Sequence, residues 1–431
     1  MTIPLQVGPI ELDLVKIVVL ALLSGTGVLA VTRTAAVYHD GLRTSIPELW
    51  QGGRARRELS RYSYQISIGF IVAYALPYSL ATGIIIIHIL LLSADMIGLW
   101  FRREWQAVVV GVLYGAAVTV AVDAVVDGLQ QLTAFAAGRE LLFAPLAYTF
   151  PLLAAVAIAT QYGLRWGGFS ALATLGAWRV ADAALAGGDF GSALTPTGGA
   201  ISLALMTVVL VVAALRGPAS DAAADLTPYD AGIIRIHSKW PLLVPPAVLI
   251  AVAASQGWLA GEPAQLVMLA IGSPEAAAMV ALFSAVAFVP LIGISGMVSG
   301  VWNQDGYPDW FLAAGYLLRN PILAAIGGAV LIGVELISLR RVGRFLATHP
   351  TVHGVGSAAR DALDTVPNLS ILAGGVAASV ALAGPLGAAG VIGTYALNDA
   401  KGRPVMPLAV PVFAYLAIAI IANLTQTIGL G

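Results

Sequence analysis

The chain contains no cysteine, which excludes disulfides, thiol catalysis and thiolate-bound metals. Charge is scarce as well: 10% of the 431 residues are Asp, Glu, Lys or Arg, against about 25% in soluble domains. There is no basic or acidic tail and the net charge is −1, so no nucleic acid is expected as a partner. The five histidines form no cluster. His349 and His353 are separated by Pro350, which opposes helical ligand spacing, and the glutamate of an HExxH site is missing. P-loop, dinucleotide fingerprint and serine elbow are all absent. A pump with its own ATPase site is thereby excluded, and neither metal nor cofactor is expected.

What fills the chain is apolar: 59% of it is hydrophobic. The stretch 322–344, ILAAIGGAVLIGVELISLRRVGR, shows what this means. Its first eighteen residues suffice to cross a hydrocarbon core of about 30 Å as a helix. Arg340, Arg341 and Arg344 follow at once and fix that end on the cytoplasmic side. Fourteen such runs occur, near 14–32, 63–79, 82–101, 106–126, 145–162, 168–186, 198–215, 241–258, 276–295, 300–318, 321–339, 369–382, 386–398 and 405–428. The fold expected is an all-α, polytopic transmembrane bundle of about 12–14 spans forming one integral membrane domain over 1–431. No basic n-region precedes Lys16, so the first run is expected as an uncleaved span with the N-terminus outside.

The positive charges test this alternation. With the first helix running outward to inward, eighteen of the 22 Lys and Arg fall in cytoplasmic segments, chiefly near 33–61, 216–240 and 340–368. Arg139 and Arg319 fall outside, and Lys16 and Arg179 in or at the membrane. That sorting supports the topology as a whole. The run 386–398 is short for a span and is expected as a tilted, broken or re-entrant piece around Gly384-Pro385. An echo between 63–103 and 369–403 suggests duplicated halves.

Ionisable residues inside spans are candidates for function. Arg179 and Asp182 lie three apart on one helix face, either as a structural ion pair or as a clamp for an anionic group. Glu335 and Asp95 are candidates for a coupling proton or cation, with Arg102 within snorkelling reach of Asp95. Asp123 and Asp127, one turn apart, could share that role or simply be solvated. His39, Asp40 and Arg43 form a candidate cytoplasmic gate, against the default of an interfacial helix. Asn303, Gln304 and Asp305, and Asn398, Asp399 and Arg403, sit at two polar interruptions that read as loops or as broken helices meeting a ligand. Gly111 with Gly115, and Gly296 with Gly300, read as helix-packing pairs.

AAVYHDG at 35–41, SIGF at 67–70, AFVPLI at 287–292, Asn320-Pro321 before the Glu335 span, and LNDAKGRPV at 397–405 together resemble the YhfT family of bacterial inner-membrane proteins. The resemblance implies transport of a small metabolite and polar or charged residues at Asp95, Arg179, Glu335 and Arg403. Asp182 and the NQDGYPD segment depart from it. The expected function is secondary transport of a small polar metabolite, anionic in one version, across the bacterial cytoplasmic membrane. The expected partners are that substrate, membrane lipid, and a second copy or an energising subunit. The rivals are a permease subunit energised by a soluble protein docked on 33–61, and an intramembrane enzyme, for which no residue set is present.

Overall fold

The computed structural model describes residues 4–7, 10–43, 45–217, 227–303 and 308–427. A terminal hairpin pairs β1 (Pro4–Val7) with β2 (Ile10–Asp13). The first half then comprises α1 (Leu14–Thr32), β3 (Ala36–Val37), α2 (Arg56–Thr82), β4 (Ile85–Ile86), α3 (His88–Trp100), α4 (Glu104–Gln130), α5 (Gly138–Tyr162), α6 (Leu164–Leu185) and α7 (Pro196–Leu215). The second comprises α8 (Trp240–Ser255), β5 (Leu259–Ala260), α9 (Pro263–Ala270), α10 (Pro274–Ser299), β6 (Trp302–Asn303), α11 (Pro308–Leu318), α12 (Pro321–Thr348), α13 (Pro350–Ala400) and α14 (Val410–Thr427).

Each of the fourteen apolar runs lies mainly on a helix, and the protein is a multi-pass membrane protein. Nine helices among the described residues are long and apolar enough to cross a membrane alone, or ten with the bent pair Asp230–Ser238 and Trp240–Ser255. Three of the remaining runs have evident physical reasons for failing that test. α3 and α11 are short, 13 and 11 residues, and each is preceded by a strand whose extended backbone, at about 3.3 Å per residue, lengthens its reach. α13 holds two arms, bent where Ala383 (φ −138°) and Gly384 (φ 58°) leave helical geometry. The 386–398 segment is therefore a helical return arm.

The two halves repeat each other. An offset of 223 residues carries β3 onto β5, and an offset of 217 carries β4 onto β6. The pairing follows the same exchange: β3 runs parallel to β6 and β4 parallel to β5. Ile85 N donates to the Trp258 carbonyl (2.9 Å), and Trp302 N, 217 residues on, donates to Ala35 (2.9 Å). Gly83 and Gly300 close α2 and α10 with left-handed caps bonded to the carbonyls of Ser79 and Gly296. Gly296 and Gly300 thus form a helix end, at which Gly300 also packs closely on Gly232 of the helix 227–238.

Close helix approach repeats too. A Cβ at Gly98 or Gly111 would meet Val28 or Val31 of α1 at 2.7–3.0 Å; at Gly315 or Gly328 it would meet the carbonyls of Ala251 or Ala247 of α8 at 2.4 and 2.9 Å. Gly115, with Gly111, packs on α1 as its spacing predicts.

The halves are inverted. Lys239 Nζ, at the start of α8, donates to the carbonyls of Arg33 (2.7 Å) and Thr34 (2.8 Å), just past the end of α1. At the other end, Lys16 Nζ donates to Gly83 (3.0 Å), two residues before Ile85 meets Trp258 beyond the end of α8. α1 and α8 therefore run antiparallel. The partner of 63–103 is accordingly 280–320, not 369–403, the segment the sequence echo suggests.

Candidate functional site

Each half turns back after its first helix. In the first, β3 leads to His39 and Asp40, where a single helical turn begins. In the second, β5 leads to Glu262 and the start of α9. His39 and Glu262 are equivalent by the 223-residue offset, so two re-entrant tips from opposite halves approach one region.

Each tip is pinned by a buried polar side chain, an acid in the first half and an amide backed by an acid in the second. The Asp95 carboxylate accepts the backbone N–H groups of Tyr38 (3.0 Å) and His39 (2.7 Å) and is fully buried. These donors, rather than Arg102, make its burial tolerable. In the second half, Gln265 accepts the Gly261 N–H (3.0 Å) and donates to Asp309 (2.7 Å). Both devices satisfy extended backbone that has no sheet of its own to complete.

Between the tips lies a chamber of about 400 Å³. Its walls bring together His39 and Glu262 from the tips, Tyr74 of α2, His88 of α3, and Arg360 and Asp364 of α13. Tyr74 donates its hydroxyl to Glu262. Burial pushes the Glu262 carboxyl up to about 7; the Tyr74 bond opposes that rise, and the Asp364 charge adds to it. His39 is spent on structure: Nδ1 accepts Gly41 N–H (3.0 Å) and the ring also bonds Ile66 backbone. Burial lowers its pKa, which favours the neutral ring. Phe70 lies 4.5 Å from the Tyr74 ring and 5.0 Å from His88, giving the chamber one aromatic wall. Such a cavity can bind a small polar ligand and hold a proton near neutral pH.

Of the residues expected from the sequence, His39, Asp40 and Arg403 reach this chamber. Asp40 is ion-paired to Arg43 (3.3 Å), and Arg403, at 65% side-chain exposure, to Asp399 (2.8 Å). Asn398 holds the following turn through both directions of bonding with the Val405 backbone (2.8 and 3.0 Å). Arg179 and Asp182 do not pair. Arg179 is exposed and donates to the Ser192 carbonyl (2.6 Å), whereas buried Asp182 accepts from Thr195 N (3.1 Å) and Oγ1 (2.5 Å) at the start of α7. Neither lines the chamber, because their helix end faces a loop rather than the crossing of the halves.

Glu335 accepts the Trp302 indole N–H (2.5 Å), anchoring β6 to α12. Asp123 pairs with Lys16 (2.5 Å) instead of joining Asp127, which lies a turn away and half-buried. Asn303 forms part of β6, and Gln304 and Asp305 lie outside the described residues. Among the described residues no group of three His, Asp or Glu could hold a metal. The chamber residues that sequence reasoning passed over are Tyr74, His88, Glu262, Arg360, Asp364 and Asn368. The available signal was the short polar break GEP at 261–263, which the 223-residue offset places on YHD at 38–40.

A family model, YhfT, described as a protein of unknown function, matches residues 16–430. The chain is similar to the uncharacterized protein YhfT of Escherichia coli (strain K12), at 29% identity over 435 residues covering 96% of this chain and 98% of that one. No solved structure matches it.

Proposed function

The chain belongs to the YhfT family, and we propose that it is a secondary transporter moving a small polar metabolite across the bacterial cytoplasmic membrane. The observation carrying this reading is the placement of one polar chamber where two inverted re-entrant tips meet, His39-Asp40 and Glu262-Pro263. Inverted repeats give a protein two conformations of similar energy, related by exchanging the roles of its halves. A site on their shared axis then faces each side in turn. The excess of arginine at the Arg33 and Arg340 end supports a reading with that end in the cytoplasm and the N-terminus outside. The rival role, a permease subunit docked by a partner on 33–61, draws less support from this segment. Arg33 is engaged by Glu104, Arg54 by Glu48 and Ser45, and Arg56 by the Thr32 and Gly98 carbonyls.

The natural absence of cysteine makes the test direct. A single cysteine replacing Asn368 in the chamber is exposed to a membrane-impermeant maleimide in right-side-out and inside-out vesicles. Alternating access gives labelling from both sides, and reconstituted protein alone gives gradient-driven uptake. Labelling from one side only, with no uptake unless a second protein is added, sinks the proposal.

A further inference from the structure

We infer that the ligand of this chamber carries a positively charged amine, held between Glu262 and Asp364; the inference rests on the reading above for the chamber being the substrate site. Several hydrogen-bonding groups of the chamber are left unmatched by the protein. Glu262 receives one donor, the Tyr74 hydroxyl; its neighbour Asp364 is exposed on the chamber wall, makes no hydrogen bond or salt bridge among the described residues, and feels the positive charge of Arg360. His88 is 8% exposed, bonds the Gly261 backbone with one ring nitrogen, and has no partner at Nδ1. Asn368 adds a side-chain oxygen without a partner.

Acceptors therefore dominate one side of the chamber. A simple anion would confront two carboxylates and leave Glu262 and the buried Asn368 side-chain oxygen short of donors, at a cost for each. An ammonium brings three N–H donors and the opposite charge. The aromatic wall of Phe70 and Tyr74 beside these acids suits the same group, since ring faces attract cations. Arg360 lies four residues, or about 6 Å of helix, from Asp364, close enough for its charge to act on both Asp364 and Glu262. Its guanidinium is over the Phe288 ring at 5.7 Å and forms no ion pair among the described residues. It is placed to take an acid group on the same ligand. The class indicated is a small zwitterion with an amine at one end and a carboxylate at the other.

The test uses the purified full-length protein in detergent and its thermal unfolding. One pool holds glycine, alanine of both hands, serine and 4-aminobutyrate; the matched pool replaces each amine by hydroxyl, as glycolate, lactate, glycerate and 4-hydroxybutyrate. At about 10 mM each, the amine pool raises the apparent Tm by about 3 °C and the hydroxyl pool does not. Asp364→Asn and Glu262→Gln, which keep side-chain shape, abolish the response, and Asp364→Glu retains it. An equal response to the hydroxyl pool, an equal response to sodium chloride alone, silence toward both pools, or an amine response surviving both neutral variants overturns the inference. A hydroxyl-only response overturns the inference and leaves the transporter reading standing, whereas one-sided maleimide labelling with no uptake by the protein alone removes that reading whichever pool binds.

Discussion

Tyr74 and Glu262, 188 residues apart, are joined by a hydrogen bond across the meeting of the two halves. The phenol comes from a span of the first half, the carboxylate from the re-entrant tip of the second. The bond favours the ionised acid over the protonated one, because a hydroxyl donor stabilises negative charge.

Tyr74→Phe removes that donor while keeping the buried ring. A loss of about 1–2 kcal/mol is expected at pH 8, where Glu262 is ionised, and a smaller loss at pH 5, where it is protonated. Thermal unfolding of the purified variant at both pH values measures the difference. An equal loss at each pH would show that the bond does not depend on the charge.

Glu262 also imposes a pH window on stability. Its carboxyl titrates near 7 in the folded protein and near 4.5 in an unfolded chain. Folding thus takes up a proton between those values, and this group's contribution to stability falls as pH rises from about 4.5 to about 7. Glu262→Gln cannot release the proton. Its Tm should decline less than that of the parent across this window; parallel curves would contradict the assignment.

The repeat predicts that glycine substitutions act in pairs. A Cβ at Gly98 would sit 2.8 Å from Val31, and one at Gly315 would sit 2.4 Å from the Ala251 carbonyl. Gly98→Val and Gly315→Val should each destabilise by about 1–3 kcal/mol through overpacking. Nothing lies within 4 Å of a Cβ at Gly333, so Gly333→Ala should leave the melting temperature unchanged or slightly raised. Tolerance at one member of the pair alone would argue against equivalent packing in the two halves.

Arg179 and Asp182 separate under mutation despite their spacing. Asp182→Ala leaves the Thr195 N–H and hydroxyl without their acceptor and should cost about 1–3 kcal/mol. Arg179→Ala removes an exposed contact and should stay within about 0.5 kcal/mol. Expression level and detergent melting curves of the two variants decide this; similar losses would restore the idea of a coupled pair.

Hydropathy and charge by themselves determined the class of protein and its fourteen apolar runs, because crossing a membrane is a local demand that each run meets with its own residues. Depth within a run was equally legible, as the internal position of Glu335 shows. Which charges meet was decided by tertiary structure alone. Glu262 and Asp364 belong to different segments of the second half, and Tyr74 to the first; no periodicity links them. Conversely, Arg179 and Asp182 are helix neighbours in sequence, yet each bonds the loop before α7 instead of the other. The physical reason is that an inverted repeat builds its site where the two halves cross. Side chains of opposite halves become neighbours there through the packing of antiparallel α1 and α8, and linear spacing carries no record of that crossing.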